Sequence, residues 1–363
     1  MMHVDFDYFF AQCEEVRKPE MKGRPAIVCV FSGRTEDSGV VSTANYVARK
    51  YGVKSGIPIK LAKSKLADVP DAVFLPLDLP YYRQVSEKAM AIIKSHAQVF
   101  EHVGIDECYI DVSRAEDPKK LARKIKGEIK SGLQLTCSVG IAPNKMTAKI
   151  ASDIQKPDGL TIVKRKDAAA FVAALDVDKI PGIGPKTKDR LAQLGVSTAG
   201  QLVTFDLFKL TDEFGKKFAS YMHNAAKGED NELVVESDGE RKQQLMRIVT
   251  LKKNAARSGE MYGELEEICR TVHRGVEGKQ LSFKTVGVIL VLSNLENITR
   301  SKTLKTHTSS YDLLHSTAKS ILDRAMAAIE KMNVRRLGVR LADFQDSAGQ
   351  GTLFEFMHGE KGR

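Results

Sequence analysis

The sequence predicts an α+β protein of more than one domain, on three observations. The chain has 363 residues, which at about 150 residues per domain corresponds to two or three domains. Near each end the hydrophobic pattern reads strand, helix, strand, strand, helix, strand, the ferredoxin-like order, without sequence similarity between the two copies. Between them the pattern is helical. Apolar residues make up 42% and charged residues 28%, a globular balance that argues against wholesale disorder or a fibre.

HVDFDYFF (3–10), β-branched and aromatic with alternating acids, reads as a strand leading directly into a helix over 11–16. AIVCVF (26–31) is a continuous apolar strand. GVVSTANYVARKYGV (39–53) reads as a glycine-led turn into an amphipathic helix that Gly52, Gly56 and Pro58 stop. A helix over 82–97, two strands around VGIDECYIDV (103–112), a helix over 118–132 and the strand TCSVGIA (136–142) complete the first order. After LTIV (160–163) the helical pattern carries IPGIGPKTKDRLAQLGVST (180–198). The polar stretch EDNELVVESDGERKQ (229–243) reads as an interdomain linker. The second order follows as RIVTL, a helix over 261–274, KTVGVILVL, RSKTLKT, a helix over 313–331 and RLGVRLADF.

Lys and Arg total 56 against 46 Asp and Glu, a net charge of +10, which favours a polyanionic partner such as nucleic acid. Residues 240–345 hold 19 Lys/Arg and 11 Asp/Glu, so +8 of that charge lies in the last globular unit. Cys13, Cys29, Cys108, Cys137 and Cys269 are odd in number, far apart and mostly in apolar runs, which reads as reduced thiols without a zinc site. The longest apolar run, Val286 to Leu292, is far shorter than the roughly 20 residues of a membrane span. Acidic Asp5 and Asp7 occupy the region where a signal peptide would be basic and then apolar. The expectation is a cytoplasmic protein with no membrane partner.

Asp5 and Asp7 stand two apart on the expected first strand, so alternation puts them on one side. Asp106 and Glu107 are adjacent in a glycine-containing stretch between two strands. In a ferredoxin-like sheet the first strand neighbours that hairpin, which would gather three or four carboxylates. These repel one another unless divalent cations neutralise them, and two Mg²⁺ ions could activate an attacking hydroxyl and stabilise a leaving pyrophosphate. Either pair alone reads first as a solvated strand end with ordinary surface acids. Thr43, Tyr46 and Arg49, three apart on the expected helix, share a face, and Lys156 in SDIQKPDG precedes the helix-ending Pro157; these are candidate phosphate ligands, or a solvated helix face. PGIGPKTKDRLAQLG, with apolar Ile180 and Ile183 around Gly182 and Gly184, is a helix-hairpin-helix signature. In that motif turn amides and a helix N-terminus bind a DNA phosphate without reading sequence, and Lys186 and Lys188 stand beside it. A degenerate second copy spans 213–228 around Phe214-Gly215.

VDFDYFFAQCE, GVVSTANYVARKYGVKSGIP, GIDECYIDVS, SVGIAPNKMTAKIASDIQKPDGL and IPGIGPKTKDRLAQLG, in this order and at these distances, resemble the DinB-type, DNA polymerase IV branch of the Y-family translesion polymerases, in an archaeal-like form. The resemblance covers essentially the whole chain. It implies a right-hand polymerase with a ferredoxin-like palm (1–10 and 75–164), small fingers (11–74), a helical helix-hairpin-helix thumb (165–228), a linker (229–243), an α+β little finger (244–343) and a clamp-binding tail (344–363). It implies low-fidelity, template-directed addition of dNTPs to a primer 3′ end by two-metal nucleotidyl transfer, without proofreading. Partners implied are primer-template DNA, dNTPs and a sliding clamp, with the enzyme acting as a monomer and Mn²⁺ a possible substitute for Mg²⁺.

By the same resemblance, Asp5, Asp106 and Glu107 bind the metals, with the Phe6 carbonyl completing one site, whereas Asp7 is in the motif without being a ligand. Thr43, Tyr46, Arg49 and Lys156 hold the incoming triphosphate. Phe10 is the steric gate whose ring collides with a ribonucleotide 2′-hydroxyl, and Val40 and Ser42 form a small roof over the nascent base pair. Gln350, Leu353 and Phe356 resemble a clamp-binding peptide, although Met357 stands where a second aromatic is usual. Two other classes share parts of this pattern. A nucleotidyl cyclase would have no use for residues 180–198 or the +8 final unit, and a non-catalytic repair scaffold would have none for Asp5, Asp106 and Glu107 together with Lys156.

Overall fold

A computed structural model describes residues 1–237, 244–329 and 332–346. Gln350, Leu353 and Phe356 of the expected clamp peptide, and residues 238–243 of the expected linker, lie outside them. The chain forms two compact units, the first built on residues before 240 and the second on residues after it, with 31–40 and 58–60 grouped with the second.

In chain order the first unit opens with β1 (Met2–Phe6) and α1 (Phe9–Arg17). Next come β2 (Ala26–Phe31), β3 (Gly39–Ala44), α2 (Tyr46–Lys50), α3 (Ile59–Lys65) and β4 (Val73–Pro76), whose strands form a small sheet in the order β3-β2-β4. The chain continues through α4 (Leu79–Lys94), β5 (Phe100–His102), β6 (Glu107–Ile110), α5 (Pro118–Leu133), β7 (Cys137–Ile141), α6 (Lys145–Ile154) and β8 (Leu160–Ile162). These strands make one sheet in the order β5-β6-β1-β7-β8, the ferredoxin-like arrangement with one added strand. Even-numbered Met2, Val4 and Phe6 of β1 enter the core beside Tyr82, Ala89 and Ile93 of α4 and Ile125 and Ile129 of α5. Strand alternation therefore turns His3 and Asp5 to the other face.

The expected helix over 39–53 is a correction. Residues 39–44 are strand, and only Tyr46–Lys50 is helical. The β-branched Val40, Val41 and Thr43 suit the pleated sheet, and Asn45 caps the short helix by accepting from the Ala48 amide at 2.9 Å. Thr43 consequently shares no helix face with Tyr46 and Arg49.

A helical region follows: α7 (Ala168–Ala173), α8 (Pro185–Gln193), α9 (Ala199–Thr204), α10 (Leu207–Phe214) and α11 (Lys216–Ala226), packed around Ile180, Ile183, Leu191, Leu202 and Met222. Both hairpin signatures turn on a left-handed glycine, Gly182 at φ 88° and Gly215 at φ 78°. Part of the expected linker is anchored. Asp230 accepts from the Met146 amide (2.9 Å) and Ser237 exchanges backbone hydrogen bonds with Phe100 and His102 of β5.

The second unit comprises β9 (Gln244–Ala255), α12 (Tyr262–Glu277), β10 (Leu281–Leu292), β11 (Asn297–Thr308), α13 (Tyr311–Ala327) and β12 (Val334–Asp346). Its element order repeats that of the first unit, but its strand order is β11-β10-β12-β9. Leu337, Val339 and Leu341 of β12 join Val286, Val288 and Leu290 of β10 and helix residues such as Leu265 and Leu322 in one core. All five cysteines are free and buried. Among the described residues no helix is long and apolar enough to cross a membrane.

Candidate active site

Antiparallel pairing of β1 with β6 sets Asp5 directly opposite Glu107. Asp106 sits at the tip of the β5–β6 hairpin, where Val103 and Gly104 amides both donate to the Glu107 carbonyl and the Asp106 carbonyl accepts from Phe6 N at 2.8 Å. Asp5, Asp106 and Glu107 are all half-buried. Ligand atoms of His3, Asp5 and Glu107 lie within 4.8 Å of one another.

α6 supplies the countercharge. Gly140 of β7 lets this helix lie against the sheet, since a Cβ there would be 2.0 Å from the Ala148 carbonyl oxygen. Lys149 of α6 pairs with Glu107 Oε2, and Lys156, just beyond its end, reaches Asp5 Oδ1 at 2.6 Å and Asp153 at 2.7 Å. Buried His3 contacts Ser152 Oγ (2.8 Å) through Nδ1 and Glu107 Oε2 (3.2 Å) through Nε2. The hydrogen bond from His3, with Lys149 beside it, holds the Glu107 carboxyl at about 2. Burial raises the Asp5 and Asp106 carboxyls instead, and for Asp106 the neighbouring Glu107 charge adds to it. Burial works against the ammonium of Lys156, but Asp5 and Asp153 outweigh it and raise its pKa. Three half-buried carboxyls gathered at one place form an oxygen-rich donor set suited to a hard divalent cation, whose charge would offset the burial that raises Asp5 and Asp106.

Asp7 does not join this cluster, contrary to the shared face expected for Asp5 and Asp7. β1 ends at Phe6, and Tyr8 takes a left-handed conformation (φ 37°) that turns the chain into α1. The Asp7 side chain is fully buried and bonded to Thr136, Ser138 and the Asp158 amide.

Phe10, half-buried on α1, stacks on Tyr82 with ring centroids 4.7 Å apart. Tyr46 and Arg49 lie together, the guanidinium 4.8 Å from the ring centroid and Arg49 Nε donating to Ala44 O at 2.9 Å. Tyr8 meets Tyr46 edge-on, and its hydroxyl donates to Glu15, which also accepts from Asn45 Nδ2 (2.7 Å). One buried carboxylate thereby ties α1 to the cap of α2. In the helical region Gly184 caps α8, Lys186 is exposed, and Lys188 pairs with Asp178 at 2.9 Å.

His3, Lys149, Glu15 and Asn45 escaped the sequence reading, although two of them left a signal. His3 is two residues before Asp5 on the same strand, and Lys149 is seven before Lys156, two helical turns.

The impB/mucB/samB family profile matches residues 4–153, its C-terminal domain 242–353, and the DNA polymerase-iota thumb domain 178–230. DNA polymerase IV of Nitrosopumilus maritimus is 46% identical over 361 residues, covering 98% of each chain. DNA polymerase IV of Saccharolobus solfataricus is 36% identical, covering 98% of this chain and 99% of that one. Among solved structures, a Y-family DNA polymerase chimera of Dbh and Dpo4 superposes with a TM-score of 0.87 at 35% identity, over 94% of this chain and 98% of that one. An insertion ternary complex of Dbh DNA polymerase gives a TM-score of 0.65 at the same identity and coverage. With matches along its whole length, the chain belongs to the impB/mucB/samB family, the Y-family translesion DNA polymerases of the DNA polymerase IV type, whose activity is template-directed DNA synthesis.

Proposed function

We propose that Asp5, Asp106 and Glu107, with the Phe6 carbonyl, hold two Mg²⁺ ions, which Mn²⁺ can replace, at which a dNTP is joined to a primer 3′ end. Support comes from the pairing of Asp5 with Glu107 across β1 and β6, with Asp106 next to it. When bound, such ions supply an activated 3′-hydroxyl and neutralise the departing pyrophosphate. The chain's own groups do the rest. Lys156, Arg49, Tyr46 and Thr43 bind and orient the triphosphate. The Phe10 ring, stiffened by its stack on Tyr82, blocks a 2′-hydroxyl by volume. A small fingers roof tolerates distorted pairs, so synthesis is of low fidelity, and in this reading no proofreading step follows it.

DNA is gripped at two further points in this reading. The Gly182–Gly184 turn with Lys186 and Lys188 takes a backbone phosphate. The face of the second sheet turned away from the helices of its core carries Arg336 and Arg340, and Arg340 Nε is buried without a hydrogen-bond partner among the described residues. Residues 1–10 and 75–164 serve as palm, 11–74 as fingers, 165–228 as thumb and 244–343 as little finger. The enzyme works in the cytoplasm as a monomer that a sliding clamp recruits through Gln350, Leu353 and Phe356.

Primer extension with Mg²⁺ and dNTPs tests the site. Asp106→Ala should lower single-turnover addition by about a thousandfold or more, while primer-template affinity stays within about twofold. Near-normal rates in a folded variant would sink the assignment.

A further inference from the structure

The second acid of the VDFD motif takes no part in the carboxylate cluster, yet every polar atom of Asp7 is engaged. Oδ1 accepts from Ser138 Oγ at 2.7 Å, and Oδ2 accepts from Thr136 Oγ1 and from the Asp158 amide, both at 2.8 Å. Its carbonyl accepts from buried Gln12 Nε2 at 2.6 Å, and its own amide donates to Thr136 O at 3.2 Å. The carboxylate is completely removed from solvent. A buried carboxylate with this many donors is a rigid fixture, because each lost bond would leave a charged oxygen unsatisfied.

What it fixes is the loop Lys156–Gly159. Asp158 there is left-handed at φ 56°, a conformation that costs a non-glycine residue energy and persists only where surrounding bonds enforce it. Asp7 holds the Asp158 amide, and Ser138 Oγ, already bonded to Asp7, accepts from the Gly159 amide at 3.2 Å. From the other side Lys126 pairs with the Asp158 carboxylate at 2.7 Å and donates to the carbonyls of Cys137 and Gly159. Two residues earlier, the ammonium of Lys156 rests on Asp5. Asp5 and Asp7, two apart in the chain, thus grip one loop in different ways: Asp5 through a flexible side chain, Asp7 through the backbone.

We propose that Asp7 is a positioning residue for nucleotide binding: by clamping the Asp158–Gly159 backbone it fixes the root of Lys156, so that the ammonium is aimed at the triphosphate wherever Asp5 directs its own charge. This rests on the reading of Lys156 as a triphosphate contact. Asp7 touches neither substrate nor reacting atoms in this role. Replacement by asparagine removes one acceptor oxygen and the charge: its NH₂ faces the Ser138 hydroxyl in one amide orientation, and the Thr136 hydroxyl and Asp158 amide in the other, so either way the clamp on the loop is weakened with the volume almost unchanged.

Single-nucleotide incorporation by the full-length chain, with Asp7→Asn and Lys156→Ala singly and combined, tests this in a double-mutant cycle. Asp7→Asn should raise KM for dNTP about tenfold with kcat within about twofold. In the Lys156→Ala background it should raise KM no further. Hydrogen exchange should quicken at the Asp158 and Gly159 amides and stay unchanged across the sheet strands. An unchanged KM, an equal rise in both backgrounds, or unaltered exchange at 158–159 overturns the proposal. If Lys156→Ala alone leaves KM unchanged, the triphosphate reading fails, and the exchange measurement still decides whether Asp7 holds the loop. Should Asp7→Asn not fold, Ser138→Ala carries the same cycle, with an expected KM rise of about threefold that must vanish in the Lys156→Ala background.

Discussion

The sheets of the two units share an order of elements along the chain and differ in how they use it. In the first, β1 lies between β6 and β7, so the opening strand is central and its outward residues meet neighbours on both sides: Asp5 faces Glu107 and Ser138, His3 faces Tyr109 and Gly140. In the second unit the equivalent opening strand, β9, is at the edge among the described residues, paired with β12, while β10 lies between β11 and β12. Both sheets pack one face on helices. The other face of the first is acidic and partly covered by α6, with its lysines. The other face of the second carries Thr285, Gly287, Ser301, Gly338, Arg336 and Arg340. A partly covered face can perturb ionisation and confine metal-binding oxygens, whereas one that carries small residues and arginines suits a long phosphate backbone.

The largest test of this contrast is Gly140→Ala. Its Cβ would meet the backbone of α6, with Ala148 O at 2.0 Å and Ser152 N at 2.5 Å, so the whole helix must move. The expected cost is about 3 kcal/mol in chemical denaturation and about a hundredfold in single-turnover rate, because Lys149 and Ser152 move with it. Joint replacement of Arg336 and Arg340 by alanine should act only on DNA affinity. The slope of log K against log salt should flatten by about two for two lost phosphate contacts, equally on every sequence. The smallest effect is expected from Gly338→Ala, where the Cβ would meet Ile248 Cγ1 at 2.5 Å and the Arg247 carbonyl oxygen at 3.1 Å, so that edge strand β9 rather than a whole helix must shift. A loss of about 1–2 kcal/mol in the second unit, with the turnover of bound DNA unchanged, is the outcome to check by denaturation and single-turnover kinetics. A larger loss from Gly338→Ala than from Gly140→Ala would break the comparison.

Much of this was legible in the chain. Alternation in HVDFDYFF and the GIDECYIDV hairpin was enough to bring Asp5 toward Asp106 and Glu107, because a ferredoxin-like order has the first strand beside that hairpin. The same reasoning could not give the second sheet, since one element order admits more than one strand order and nothing local chooses between them. The stretch 39–53 misled because Val40, Val41 and Thr43 fit a helical period as well as a strand, and pairing within the sheet decided the matter. Asp7 was opaque for a different reason. Period-two alternation holds only while the strand lasts, and the left-handed Tyr8 ends it one residue too soon.

The buried thiols have a practical consequence. Burial pushes the sulfhydryls of Cys13, Cys29, Cys137 and Cys269 up to about 12, and that of Cys108 well above its ordinary value, so in the folded chain almost none is present as the reactive thiolate at neutral pH. Four of them belong to the first unit and Cys269 alone to the second. Alkylation therefore reads out opening of the molecule in two separate channels, one cysteine reporting the second unit and four the first. A cysteine introduced on the surface would be the one group a fluorophore labels in the native protein.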